Sequence, residues 1–406
     1  MERSVLWSIG CAAALAPASV AQSFNYVDFS STSGLVLNGN AAASGSVLRV
    51  TPAASDQKGS VWYSQPIDVI AGFDTTFTFR ITQLTGGGAD GLAFVIQDDP
   101  RGTAALGDKG SSMGYGAEPT SPAGTALSNS LAIEIDTYFI ASPWGDPDGN
   151  HLSIHTNGTG ENNAYESLSI GLASPATNMS NGSVHTLRVR YNPGVLDIYL
   201  DNLSTPLLSA NYSFVTGGSW TGGGSVGGLA LIGNSAAHVG FTAGTGGATE
   251  NHDVLSWTWA PIVPPAYCTS GTSGHGCAPA ISGNANPSLA FANPCLITVS
   301  SVEGQRNGIL FYGLTQFVQP WASGSTSYLC IKPPTQRAGS QNSGGTVGLC
   351  DGTLSLDWNT FQQSNPTALG NPWSVGREAF CQGWYRDPPA PKTTNLSDAL
   401  WLTYLP

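Results

Sequence analysis

The sequence predicts an all-β protein in two parts: a large sandwich of antiparallel strands followed by a smaller β-rich domain held by disulfides. Three observations carry this. Strand-like alternation of apolar and polar residues recurs at short intervals from about Phe24 to Trp259, and no stretch there has the 3.6-residue period of an amphipathic helix. Charged residues make up only 10% of the chain, against roughly 25% in an ordinary soluble domain, while Gly alone counts 51. Gly, Ser, Thr and Asn in place of Lys and Glu suit short strands and many turns. Finally, six of the seven cysteines fall in the last third.

In chain order, Met1 to Ala21 has Arg3 near its start, an apolar run from Val5 to Leu15 and the small residues Ser19-Val20-Ala21. This is the pattern of a cleaved secretory signal, so the mature chain is expected to be secreted. No later segment has the roughly 18 consecutive apolar residues of a membrane helix. Cys11 lies inside the signal and lacks the aliphatic residue expected three positions before a lipid-attachment cysteine.

Residues 22–260 form the first domain. Phe77, Phe79 and Ile81 alternate with Thr78 and Arg80; Leu187, Val189 and Tyr191 with Arg188 and Arg190; Leu196, Ile198 and Leu200 with Asp197 and Tyr199. Each reads as a half-buried strand. Leu92 to Ile96 is apolar on both faces, as expected for a strand covered on both sides. Residues 261–266, within a stretch containing Pro261, Pro264 and Pro265, read as a stiff linker. Residues 267–406 form the second domain. Its six cysteines imply a disulfide framework in an exported chain, and sequence proximity favours Cys268 with Cys277, Cys330 with Cys350, and Cys295 with Cys381.

The net charge of −12 comes with only 14 Lys and Arg, scattered along the sequence. Nucleic acid and anionic membranes are therefore poor partners. The richest chemistry lies between Glu134 and His151. In strand geometry Leu131, Ile133 and Ile135 point to a core, while Glu134, Asp136 and Tyr138 share the opposite face. Two acids on one face repel unless a cation sits between them. Asp136, Asp146 and the Tyr138 carbonyl offer the hard oxygen donors that Ca²⁺ takes. Glu134 and His151 suit a neighbouring position for Mn²⁺ or another transition metal.

Glu134-Ile135-Asp136-Thr137-Tyr138, then Asp146-Pro147 and His151, resembles the metal-binding segment of L-type (legume-type) lectins. Gly87-Gly88-Ala89-Asp90-Gly91-Leu92-Ala93-Phe94 resembles their sugar-binding Ala-Asp-Gly strand, and Gly72 to Phe79 the strand before it. Val239 to Gly247, with His252 to Trp257, is similar to the family's loop and closing strand. The resemblance spans most of residues 24–259. It implies a concanavalin A-like jelly-roll sandwich, metals that are structural, glycans as partners and a cis bond between Ala89 and Asp90. It also implies that Asp90 accepts hydrogen bonds from sugar hydroxyls, with backbone donors near Ser111 and near Gly246 and Gly247. Tyr138 would offer a ring to the sugar's apolar face. One position departs from the family: Ile140 stands where these lectins carry a calcium- and sugar-binding Asn, with Ser142 and Asn150 the nearby polar substitutes.

Two other readings share this architecture. Glu134-Ile135-Asp136 begins like the motif of laminarinase-type glycoside hydrolases, but Tyr138 and Phe139 fill the positions of their second catalytic carboxylate. The chain is therefore expected not to be an enzyme. The remaining alternative is a structural or adhesive module that has lost sugar binding, for which Ile140 argues. Homo-oligomer formation stays open. The second domain faintly resembles, through Tyr267-Cys268-Thr269, Val302 to Gln305 and Trp384 to Pro388, C-terminal modules recurring in secreted planctomycete proteins; that resemblance implies no activity.

Overall fold

In the computed structural model, residues 22–289 and 295–405 are described; the expected signal segment lies outside them. The alternating segments pair into two large antiparallel sheets. One has ten strands, built around the two 13-residue strands Phe73–Thr85 and Thr249–Pro261. The other has eight. Its central run is, in spatial order, Ser169–Ala173, His151–Thr156, Ser130–Asp136, Gly91–Gln97, Ala236–Gly244, Lys58–Tyr63 and Leu35–Gly39.

Between the sheets lies one core that includes Phe77, Phe79, Phe94, Ile133, Leu187, Ile198, Phe241 and Trp257, all essentially inaccessible. Phe77, Phe94, Phe241 and Trp257 meet edge-on or offset, with Phe77 and Phe241 centroids 4.9 Å apart, the geometry that the ring quadrupoles favour. This is the jelly-roll sandwich that the strand pattern and the family motifs predict.

The eight-stranded sheet is also covered on its outer side. Leu92, Phe94 and Ile96 face the main core, whereas Ala93 and Val95 join Trp62, Ala105, Met113, Tyr115, Leu127, Ala132 and Trp144 in a second apolar cluster. The long connections 98–129 and 137–150 supply its outer residues. A half-solvated sheet needs no such cover; the uninterrupted apolar run Leu92 to Ile96 requires it.

After Pro261, strands Ala266–Tyr267, Thr394–Thr403, Glu378–Arg386, Asn307–Gly313 and Thr335–Asn342 make a five-stranded sheet in that order. A three-stranded sheet, Ala280–Gly283, Leu296–Val302 and Gly352–Asp357, accompanies it. Ile297, Val299, Leu310, Tyr312, Leu354, Trp358 and Leu400 are among the residues of their common core. The short helix Trp358–Ser364 starts at Asp357, whose Oδ1 accepts the Thr360 N–H at 3.0 Å, an ordinary side-chain N-cap.

The disulfides correct the pairing expected from sequence proximity. Cys268 bonds Cys330 and Cys277 bonds Cys350, across 62 and 73 residues. Cys295 and Cys381 are not joined; both remain buried thiols, and Cys295 Sγ donates to the Ala285 carbonyl at 3.2 Å. Sheet neighbours, not chain neighbours, set which sulfurs meet: strand Ala266–Tyr267 pairs with Thr394–Thr403, and the Tyr267 hydroxyl donates to the Cys330 carbonyl at 2.8 Å.

Candidate metal and carbohydrate site

Strand Ser130–Asp136 lies between Gly91–Gln97 and His151–Thr156, and register aligns the chemistry. Ala93, Glu134 and Ser153 form one row; Gly91, Asp136 and His151 form the next. With Leu131, Ile133 and Ile135 in the main core, Glu134 and Asp136 point outward into the covered face, where they are 1% and 5% exposed. The expected alternation stops there. The strand ends at Asp136, and Tyr138 turns away to solvent at 38% exposure beside the more open Phe139.

On the neighbouring strand the same period brings His151, Ser153 and His155 to this face. Glu134 accepts from Tyr115 Oη, from Ser153 Oγ at 2.8 Å and from His155 Nε2 at 3.1 Å. Glu166, from the single turn Glu166–Leu168, receives His151 Nε2 at 3.1 Å and lies 3.4 Å from His155 Nε2. His151 Nδ1 donates to the Asp148 carbonyl at 2.9 Å and Nε2 to Glu166, so without a metal both ring nitrogens carry protons; a metal would take the place of the proton on Nε2, which faces the acids.

Two overlapping groups result, Glu134 with His151 and Glu166, and Asp136 with Asp146 and His151. In each, one ligand atom per residue lies within 4.8 Å of the others. The electrostatics are those of an acid cluster short of positive charge. Burial, then Glu134 and Asp146, holds Asp136 well above the carboxylate range. Burial raises Asp146 to about 6 against the Ile140 N–H and His151, with Glu134 and Glu166 adding to the rise. Although burial resists charging it, His155 is pushed up to about 10 by Glu134 and Glu166. Burial likewise opposes an ionised Glu166, yet His151 and His155 hold it below the usual range.

The donors are oxygen-rich with one fixed imidazole, and a cation would relieve their repulsion, so the residues fit a hard divalent ion at Asp136 and Asp146 and a borderline ion at Glu134, His151 and Glu166. Position 140 does not supply an amide. The Ile140 side chain packs on the apolar cluster that contains Trp144, and its N–H donates to Asp146 Oδ2 at 2.6 Å. Asn150 does not substitute, because its amide is engaged by the Pro175 and Thr177 carbonyls and the Met179 N–H. Ser142 is exposed and precedes a cis proline.

Beside the acids, the Ala89–Asp90 bond is cis, as the family motif implies. Asp90 is 5% exposed, and its backbone is held on both sides: its N–H donates to the Gly244 carbonyl at 3.0 Å and its carbonyl accepts from the Thr137 N–H at 3.1 Å. Thr137 Oγ1 also contacts the Asp90 carbonyl at 3.2 Å and donates to Glu250, tying the metal loop to the Asp90 strand. Oδ2 of Asp90 is buried and accepts no well-aligned hydrogen bond, the Gly246 N–H being the donor beside this carboxylate.

Burial, then Glu118 and Glu250, raises Asp90 to about 7, opposed by the Gly246 N–H. A Cβ placed on Gly246 would lie 3.3 Å from Asp90 Oδ2 and 3.9 Å from the Gly110 Cα, so Gly246 and the Gly110–Ser112 turn converge on this carboxylate. Ser111 is in that turn, its hydroxyl donating to Glu118 at 3.1 Å. Gly247 is exposed, with open space around its Cα.

The fold gathers Glu134, Asp136, Asp146 and His151 into one cluster and sets Asp90, with Gly246 and the Gly110–Ser112 turn, beside it. The sequence motifs do not point to Glu166, His155, Tyr115 or Glu250, which the fold adds to this region. The alternation His151-x-Ser153-x-His155 could have revealed His155; nothing local marks Glu166.

A jelly-roll sandwich with an acid cluster beside the Asp90 strand is the arrangement that the L-type lectin resemblance implies. The profile of the "Legume lectin beta-barrel domain" matches residues 27–256, more than half of the chain, and the protein belongs to this L-type lectin family. Agglutinin-2 of Cladrastis kentukea is 28% identical over 243 residues, 55% of this chain and 75% of the agglutinin. Among solved structures, the lectin from Bauhinia forficata in complex with GalNAc is similar at 22% identity and a TM-score of 0.43, covering 59% of this chain and 97% of that one. The VIP36 exoplasmic/lumenal domain in its Ca²⁺/Man3GlcNAc-bound form is similar at 18% identity and a TM-score of 0.42, covering 59% and 88%. Among the described residues no helix is long and apolar enough to cross a membrane.

Proposed function

We propose that this chain is a secreted, non-enzymatic lectin that binds a neutral glycan at Asp90, with Ca²⁺ supporting the site. Its expected organisation is a signal at 1–21, the lectin domain at 22–260, a linker at 261–266 and a second domain at 267–406. The observation that carries the reading is the Asp90 carboxylate: buried, held by backbone on both sides, with Oδ2 accepting no well-aligned hydrogen bond beside Gly246. A buried acceptor left open is costly unless a ligand satisfies it. Sugar hydroxyls are suitable donors; Ser111, Gly246 and Gly247 would border them, and the half-exposed Tyr138 would swing its ring over the sugar.

Asp136, Asp146 and the Tyr138 carbonyl would hold Ca²⁺. Glu134, His151 and Glu166 would hold Mn²⁺ or another transition metal. Each ion would neutralise the acids and fix the loop from which Thr137 reaches Asp90. Hydrolysis is disfavoured because Glu134 is inaccessible and Tyr138 and Phe139 stand where a second catalytic carboxylate is needed. A second reading, an adhesive module without sugar binding, is favoured by Ile140, which gives its side chain to the apolar cluster. Glycan-array binding with and without chelator separates the two. Loss of binding in chelator and in Asp90→Ala supports the lectin; binding indifferent to both refutes this site, and a metal-free, sugar-blind protein is the adhesive module.

A further inference from the structure

The five-stranded sheet of the second domain has one face in its core and another that forms a groove of about 570 Å³, within the size range of sites for small ligands. Phe311 and Trp384 line its floor from adjacent strands, and Trp321 closes one side from the hairpin Gln316–Pro320 and Tyr328–Ile331. Three cations enter it: Arg337 from strand Thr335–Asn342, Arg386 from strand Glu378–Arg386, and Lys392 from the following turn. Among the described residues no carboxylate lines it.

These cations are not structural counter-charges. From residue 266 onward, the ion pairs among the described residues are those that His275 and Arg306 make with Glu303. Asp387, next in sequence to Arg386, is buried and faces the Gly274 N–H at 3.1 Å instead. Arg386 lies over the Trp384 ring at 5.4 Å, and Lys392 lies over Trp321 at 4.3 Å while its Nζ donates to the Trp321 carbonyl at 2.6 Å, so Trp384 and Trp321 hold two of the charges at the groove. In a chain of net charge −12 with 14 basic residues, three unneutralised cations around one aromatic groove form a selective anion field.

We propose that this groove is a second binding site, for an anionic oligosaccharide bearing carboxylate or sulfate groups. Strand Asn307–Gly313 separates the strands of Arg337 and Arg386, a spacing of about 10 Å between strands. Separated cations suit charge repeated along an oligomer better than one phosphate. Indole rings suit the apolar faces of sugar rings between those charges, whereas an acidic peptide would use the cations alone. The site is independent of Asp90 and of metal.

The full chain carrying Asp90→Ala, in chelator, is titrated calorimetrically with oligogalacturonate, a sulfated dextran oligomer, a neutral malto-oligosaccharide and polyglutamate. The expected result is binding of the uronate, the sulfated oligomer or both, the two arms telling carboxylate from sulfate, and none of the neutral sugar. Exposed Arg337→Gln and Arg386→Gln each weaken it about tenfold, and Trp384→Leu weakens it several-fold with the charges intact. Absence of binding, equal binding of the neutral sugar, polyglutamate binding as tightly as the acidic sugars, or indifference to both arginine changes overturns the proposal. Because Asp90 is already removed, failure of the lectin reading leaves this outcome unaffected.

Discussion

Calcium should stabilise the lectin sandwich strongly at pH 8 and much less at pH 5. At a hundredfold excess over its Kd, a ligand that binds only the folded state contributes about 2.7 kcal/mol. For a domain of about 230 residues this raises Tm by about 5–10 °C. Metal needs ionised ligands, and Asp146, raised to about 6, is protonated about ten to one at pH 5. That weakens binding about tenfold, or 1.4 kcal/mol, at most, since Asp146 keeps some solvent contact. About half the thermal shift is thereby removed, and Asp136, also held high, deepens the loss. Without metal the slope runs the other way. A carboxylate whose folded pKa is raised contributes stability that is complete below its unfolded value, near 4, and is lost as pH climbs through the folded one. Asp146 and then Asp90, raised to about 7, lose theirs between pH 4 and 7, so the chelated protein should melt lower at pH 8 than at pH 5. Thermal unfolding followed by circular dichroism, with calcium or chelator at both pH values, tests this. A chelated protein equally stable at both, with no calcium shift at pH 8, would refute the reasoning.

Three further outcomes are expected. Asp90→Asn keeps the shape but loses the charged acceptor, and should reduce affinity for a neutral sugar at least tenfold, with Tm little changed at pH 5 and higher at pH 8, where the wild-type carboxylate is ionised; unchanged affinity in calorimetry counts against the site. Glu166→Gln should weaken Mn²⁺ binding about tenfold or more while sparing Ca²⁺, as read by competition between the ions; equal losses would place Glu166 outside the metal shell. Peptide mapping without reduction should recover Cys268 with Cys330 and Cys277 with Cys350, and alkylation should reach Cys295 and Cys381 only after denaturation. Reducing each bond should cost the second domain about 4 kcal/mol for loops of 62 and 73 residues, seen as a lower denaturation midpoint.

Strands whose side chains alternate were legible in the sequence because their period is a local property: Leu131, Ile133 and Ile135 declare their face without reference to the rest of the chain. Asp90 and the acids up to His151 were legible through contiguous motifs. Glu166 was not, because a lone 3₁₀ turn with no periodicity carries it to the cluster. The disulfides failed for a related reason: strand order, which proximity along the chain does not encode, decides which sulfurs meet. The same holds for Arg337, Arg386 and Lys392, scattered in sequence and gathered by the fold into one groove. At Tyr138 the alternation was extended two residues too far, since the Asp136 carboxylate captures the Tyr138 N–H at 2.8 Å just beyond the strand end.

The outer cover of the eight-stranded sheet also bears on handling the protein. Trp62, Met113, Tyr115 and Leu127 are shielded by segments that share residues or hydrogen bonds with the acid cluster, Tyr115 through Glu134 among them. Releasing that layer would leave the main sandwich core intact and turn one flank into a sticky apolar wall. Prolonged chelation should therefore show itself as aggregation of an otherwise folded protein before any loss of sheet content.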